Sequence, residues 1–257
     1  MIDSTQISFG KISFAEKSEE IPSPSNKLLL TGPLFFNKDL IIDQQGLKNG
    51  LRKKNDSKVF FGLTDVNDYT GTYYNDFIVN TYERGGKSNL ANYSGRIFEV
   101  SYSKKDHSFQ ISMINSSMCL YYHIEHLFYF ETSKNFLFLL GRIFLEITQK
   151  EVNKEMFIDI RVEYGEDEED FEEFSFSQED APITIGRINS TINIQNSSIS
   201  KKHAVIEFSD NLKQFFFRDD NSTNGSILIL KEEDSLKIKG DMKFKLNDIM
   251  FHILELP

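Results

Sequence analysis

A cation, two hydroxyls and a carboxamide stand at the ends of short apolar runs in the C-terminal part of the chain. Gly186-Arg187 ends the run ITIGR (183–187), which would place the guanidinium on a loop at the end of a sheet. Ser200 lies three residues before His203, which opens the next apolar run in SISKKHAVI (198–206). Asn221-Ser222-Thr223-Asn224-Gly225, within DDNSTNGSI (219–227), reads as a tight polar turn between two β runs. Brought together, these groups suit a phosphate. A phosphorylated side chain carries about −1.5 to −2 charges and three acceptor oxygens. An arginine fork supplies charge-assisted donors, and hydroxyls complete the shell. No nucleophile is paired with a base, so such a site would bind and not react. No catalytic residue, metal or cofactor is expected.

The elements that must hold these residues are strands. The chain has 24 Phe and 10 Tyr but no Trp, a composition that favours half-buried strands. From Lys27 onward, short apolar runs alternate with turn signals: LLLTG (28–32), KVFFG (58–62), RIFEVSY (96–102) and FLFLLGRIFLEI (136–147) in a first set. MFIDIRVEY (156–164), FEEFSFS (171–177), QFFFRD (214–219), SILIL (226–230) and IMFHILEL (249–256) follow in a second. IDIRVEY and FEEFSFS alternate with period two, as in a sheet with one wet face. The predicted fold is all-β, with two β-sandwiches in tandem. Residues 1–26, rich in Ser and ending SEEIPSPSN, read as a flexible lead-in. TQKEVNKEM (148–156) is the one helical candidate, a linker or short helical turn between a domain at 27–148 and another at 149–257. GEDEED (165–170) reads as a solvated acidic loop.

The strand ending Gly-Arg, the Ser-x-x-His and the Ser-Thr-Asn-Gly turn, in that order, resemble the forkhead-associated (FHA) family over about residues 156–257. The resemblance implies a β-sandwich that binds phosphothreonine. It implies that Arg187 and Ser200 hold the phosphate and that Thr223 adds a hydrogen bond. Asn224 would bond the peptide backbone, and Lys201 would contact phosphate or backbone. Gly186, His203 and Gly225 are architectural in the family, so His203 is not read as catalytic.

The first half reads as an eroded second copy. FFG-Leu63 falls on TIG-Arg187, and Ser94-Gly95-Arg96-Ile97 falls on Ser200-Lys201-Lys202-His203. Ser94 to Ser116 spans the same 22 residues as Ser200 to Ser222, and Phe144 closes the copy about where Phe251 closes the other. The arginine position holds Leu63, the histidine position Ile97, and the Asn-Gly pair is replaced by Met118-Cys119. Without the guanidinium, no phosphothreonine binding is expected there. The first copy carries an insertion of about Thr64 to Gly86 relative to the second, read as a plain surface loop or as a protein contact.

Several function classes fall away. A net charge of −10 is a poor match to a nucleic-acid backbone. A lone cysteine, Cys119, excludes an internal disulfide and is expected to be a small buried hydrophobe. No apolar stretch approaches the ~20 residues of a membrane helix, and the start lacks a signal-peptide pattern. GGKS (85–88) lacks the upstream glycine of a nucleotide-binding loop, and His107, His123 and His126 lack metal-ligand spacing. The expectation is an intracellular (cytoplasmic, nuclear or ciliary) adaptor that docks a phosphothreonine-containing protein. The alternative is a structural part of a large ciliary or cytoskeletal assembly that uses the same folds without phosphate.

Overall fold

A computed structural model describes residues 27–79, 95–115, 117–164 and 170–256. The lead-in at 1–26, GGKS, Ser94, Ser116 and most of the acidic run lie outside the described residues. Among the described residues, everything regular is strand, apart from single 3-10 turns at Pro33–Phe35 and Gln178–Asp180. The first strands are β1 (Lys27–Thr31), β2 (Leu40–Asp43), β3 (Gly46–Leu47), β4 (Lys58–Gly62), β5 (Phe77–Ile78), β6 (Arg96–Ser103) and β7 (Ser108–Met113). Then come β8 (Leu120–His123), β9 (Phe128–Tyr129), β10 (Asn135–Leu140), β11 (Ile143–Val152), β12 (Glu155–Glu163) and β13 (Phe171–Ser177). The rest are β14 (Ile183–Gly186), β15 (Ile192–Asn193), β16 (Ala204–Ser209), β17 (Gln214–Asp219), β18 (Ser226–Leu230), β19 (Ser235–Lys237), β20 (Asp241–Leu246) and β21 (Ile249–Leu256).

Period-two patterning decides which face each strand buries. In β12, Met156, Ile158, Ile160 and Val162 point inward, while Asp159 and Arg161 stay half-exposed. Three sheets result. An 11-stranded sheet runs β13-β12-β11-β10-β18-β8-β20-β21-β1-β2-β3. Two 5-stranded sheets run β15-β14-β16-β17-β9 and β19-β7-β6-β4-β5. Both small sheets pack on the large one. Phe138 of β10 stacks on Phe217 of β17 with ring centroids 4.7 Å apart, and Phe98 of β6 stacks on Phe251 of β21 at 5.8 Å.

Each small sheet has a core of the same pattern. β4 pairs with β5 in parallel and with β6 antiparallel, and β6 pairs with β7. β14, β15, β16 and β17 repeat that pattern. In the first set, Ile114 N–H donates to Ile97 O at 2.8 Å; in the second, Asp220 N–H donates to His203 O at the same distance. Ile97 is fully buried.

Hydrogen-bonded strands cross the position expected to divide the halves. β10 and β11 leave the first half to join β18 and β12. β9 caps the edge of β17. In return, β20 and β21 join β8 and β1, and β19 joins β7. The fully buried Gln149 of β11 ties the exchange together. Its amide donates to Thr132 Oγ1 at 3.0 Å, and its Oε1 accepts the Phe215 N–H at 2.7 Å. Such a buried amide is tolerated because its hydrogen bonds are made.

The helical expectation for 148–156 is overturned. Lys, Glu and Gln favour helix, but Ile147 and Gln149 are both buried on the inner face of β11. The strand ends in a two-residue hairpin turn at Asn153 and Lys154, both at positive φ (53° and 72°). Phe144 does not close the first half as expected. It faces outward at 38% exposure, and Leu145 takes the inner place. Cys119 is only half-buried, since Leu120 and Tyr122 claim the inward positions of β8.

Candidate functional site

The end of β14 carries Arg187. Gly186 is required there by close approach: an added Cβ would lie 2.3 Å from Lys201 O and 2.7 Å from Ser190 Oγ. The strand end therefore presses against the loop before β16. Arg187 N–H donates to Ser200 O at 3.0 Å, and Ile188 N–H to Lys201 O at 3.2 Å. These bonds hold the arginine-bearing loop and the serine-bearing loop as one unit.

His203 organises that unit from beneath. It is fully buried, and its Nδ1 accepts the Ser200 N–H at 3.2 Å. With Nδ1 as acceptor, Nε2 carries the proton and donates to Gly225 O at 3.2 Å. One imidazole thus links the Ser200 loop to the β17–β18 turn. Burial holds its pKa below the ordinary imidazole range, against the opposing pull of the Gly225 carbonyl and the Asp219 charge. Protonation would also displace the Ser200 N–H from Nδ1.

A pH dependence follows. Folded His203 binds its proton less readily than unfolded histidine, whose pKa is about 6.5. Its contribution to stability is complete above that value and declines as pH falls below it, by at most about 1.4 kcal/mol per pH unit. Urea unfolding midpoints at pH 7.5 and 5.5 should therefore differ, and by less in His203→Gln. An equal difference in both proteins would show that His203 is not the group responsible.

The β17–β18 turn is built on Asp219. Its carboxylate accepts the Ser222 N–H at 2.8 Å, the Ser222 hydroxyl at 2.8 Å and the Ser226 hydroxyl at 2.6 Å. Gly225 sits at φ +72°. Thr223 is thereby brought to Ser200. Its N–H donates to Ser200 Oγ at 3.0 Å, and the two hydroxyl oxygens are 3.4 Å apart. Asn224 is exposed and donates from Nδ2 to Ser198 O at 2.8 Å. Lys201 and Lys202 are exposed beside them, while the nearby Asp220 is paired with Arg218 at 2.8 Å.

Arg187 differs from its neighbours. Its Nε is buried with no hydrogen-bond partner among the described residues. A buried donor left unpaired is costly, and native proteins rarely keep one without use. In the first half, Leu63, expected to stand at an arginine position, packs partly buried against the core.

The site gathers Arg187, Ser200, Lys201, Thr223 and Asn224 at one end of the sheet that holds β14, β16 and β17. Sequence reading missed three contributors. Asp219 had a local signal, an Asp three residues before Ser222 in a turn, which Ser226, seven residues on, did not share. Ser198 had none. It accepts the Arg142 N–H at 3.0 Å through its hydroxyl, a contact 56 residues away along the chain.

Among the described residues, no group of three His, Cys, Asp or Glu side chains is placed to hold a metal ion. No helix among them is long and apolar enough to cross a membrane. No curated protein matches the chain. Residues 183–239, which include these five residues, match the family model of the FHA domain, an interaction module for phosphoproteins.

Proposed function

We propose that the chain is a non-catalytic adaptor whose FHA site binds a phosphothreonine-containing partner. The observation that carries this reading is the buried, unpartnered Nε of Arg187 on a loop bonded to that of Ser200, whose hydroxyl meets Thr223. A phosphate would receive the guanidinium fork, the Ser200 hydroxyl and a hydrogen bond from Thr223. Lys201 would add charge. Asn224 would bond the peptide backbone and so set its register. Gly186, His203 and Gly225 keep the loops in place and touch no ligand. In this reading the first half is a tandem, degenerate FHA-like unit. Leu63 and Ile97 stand where a cation and an imidazole would be needed, so it serves as scaffold.

The test is capture of a degenerate phosphothreonine peptide library by the full chain, with phosphoserine and unphosphorylated libraries as controls. Selective retention of phosphothreonine peptides is expected. Equal retention of all three libraries, or none by folded protein, would reject the reading. It would leave a structural role in a large assembly, whose interactions would survive phosphatase treatment.

A further inference from the structure

The family match begins at residue 183, yet one wall of the site comes from outside it. Gly141 and Arg142 form the two-residue turn between β10 and β11, which the first half lends to the second. Gly141 takes φ +59° at the first of the two loop positions, where such hairpins place glycine. It lies against Ser198 so closely that a Cβ would stand 2.5 Å from Ser198 O and 2.6 Å from Ser198 Oγ. The next residue, Arg142, donates its N–H to Ser198 Oγ at 3.0 Å. Ser198 in turn gives its hydroxyl proton to Asn196 Oδ1 at 2.7 Å, and its carbonyl accepts the Asn224 Nδ2–H at 2.8 Å. A continuous chain of contacts therefore runs from a turn of the first half, through Ser198, to the side chain assigned to the peptide backbone.

We propose that the Gly141–Arg142 turn is a positioning element of the phosphopeptide groove, acting through Ser198 to fix Asn224 and with it the register of the bound peptide. This rests on the phosphothreonine reading above, and it assigns flanking-residue selectivity to a segment that carries no FHA motif. Phosphate anchoring and register are then separable. Arg187 and Ser200 anchor the phosphate, and the turn sets which flanking residues reach the protein.

The test uses the full chain and a degenerate phosphothreonine library, read for both affinity and flanking preference. Gly141→Ala forces Ser198 aside and should weaken a selected peptide about tenfold, the scale of one lost oriented hydrogen bond. It should flatten the flanking preference while keeping the discrimination between phosphorylated and unphosphorylated peptide. Ser198→Ala, which leaves the hairpin backbone untouched, should flatten the preference in the same sense, and Ser198→Thr, which keeps the hydroxyl, should restore it. Unfolding midpoints identify any variant that has merely lost its fold, in which case the Ser198 pair decides. Unchanged preference in folded Gly141→Ala and Ser198→Ala would overturn the positioning role while leaving the reader intact. Failure of the wild-type chain to select phosphothreonine would remove both.

Discussion

Cut between Asn153 and Lys154, the chain will stay together. A protease site inserted in that turn, at the end of the β11–β12 hairpin, would divide the polypeptide near the expected domain boundary. Two independent sandwiches would drift apart. The observed strand order forbids this, because β10, β18, β8 and β20 alternate between the two pieces across the large sheet. Further pairings cross as well: β1 with β21, β7 with β19 and β9 with β17. Separation would also expose Phe138, Phe217, Phe98 and Phe251, all fully buried. Each such ring is worth about 1.5–3 kcal/mol in burial alone, before broken ladder bonds are considered. The nicked protein should elute as one particle at nanomolar concentration and unfold in one transition. Two separate native peaks would show that each half closes on its own strands.

Replacing Arg187 by Ala should remove phosphopeptide binding without harming the fold. Losing one partner of a desolvated charge pair costs roughly 2–5 kcal/mol, about thirtyfold or more in affinity. Stability should move the other way or not at all. Arg187 Nε is buried and unpartnered, and shedding such a group relieves a cost of about 1–3 kcal/mol. Arg187→Lys should recover only part of the affinity, since an ammonium keeps the charge but not the planar fork. Titration with one phosphothreonine peptide, beside urea unfolding of each variant, measures both effects. Unchanged affinity in a folded Arg187→Ala protein would remove the arginine from the site. A large loss of stability would mean that its role is structural.

The strands and the motif order were legible because both are local. Alternation of apolar and polar residues is enough to place β12, and a Gly-Arg pair at the end of an apolar run is enough to place β14 and its arginine. The Asn221–Gly225 turn announces itself by composition. The helical reading of 148–156 failed for a physical reason as well. Helix-favouring Lys and Glu in 148–156 are outweighed by the burial of Ile147 and Gln149. The turn at Asn153-Lys154 depends on two positive-φ residues, one of them a lysine with no special preference for that conformation.

What the sequence by itself determined is a set of strands, turns and phosphate-compatible side chains, each set by the period and polarity of a few neighbouring residues. The tertiary structure alone decided which strands share a sheet. β10–β11 and β20–β21 are similar apolar hairpins, so nothing in their patterning says that each pairs with strands of the other half. Strand pairing is a long-range choice, settled by the fit of whole faces and not by any residue's own preference. The same choice carries Gly141 and Arg142 to Ser198, which is why a turn in the first half packs against a loop of the second.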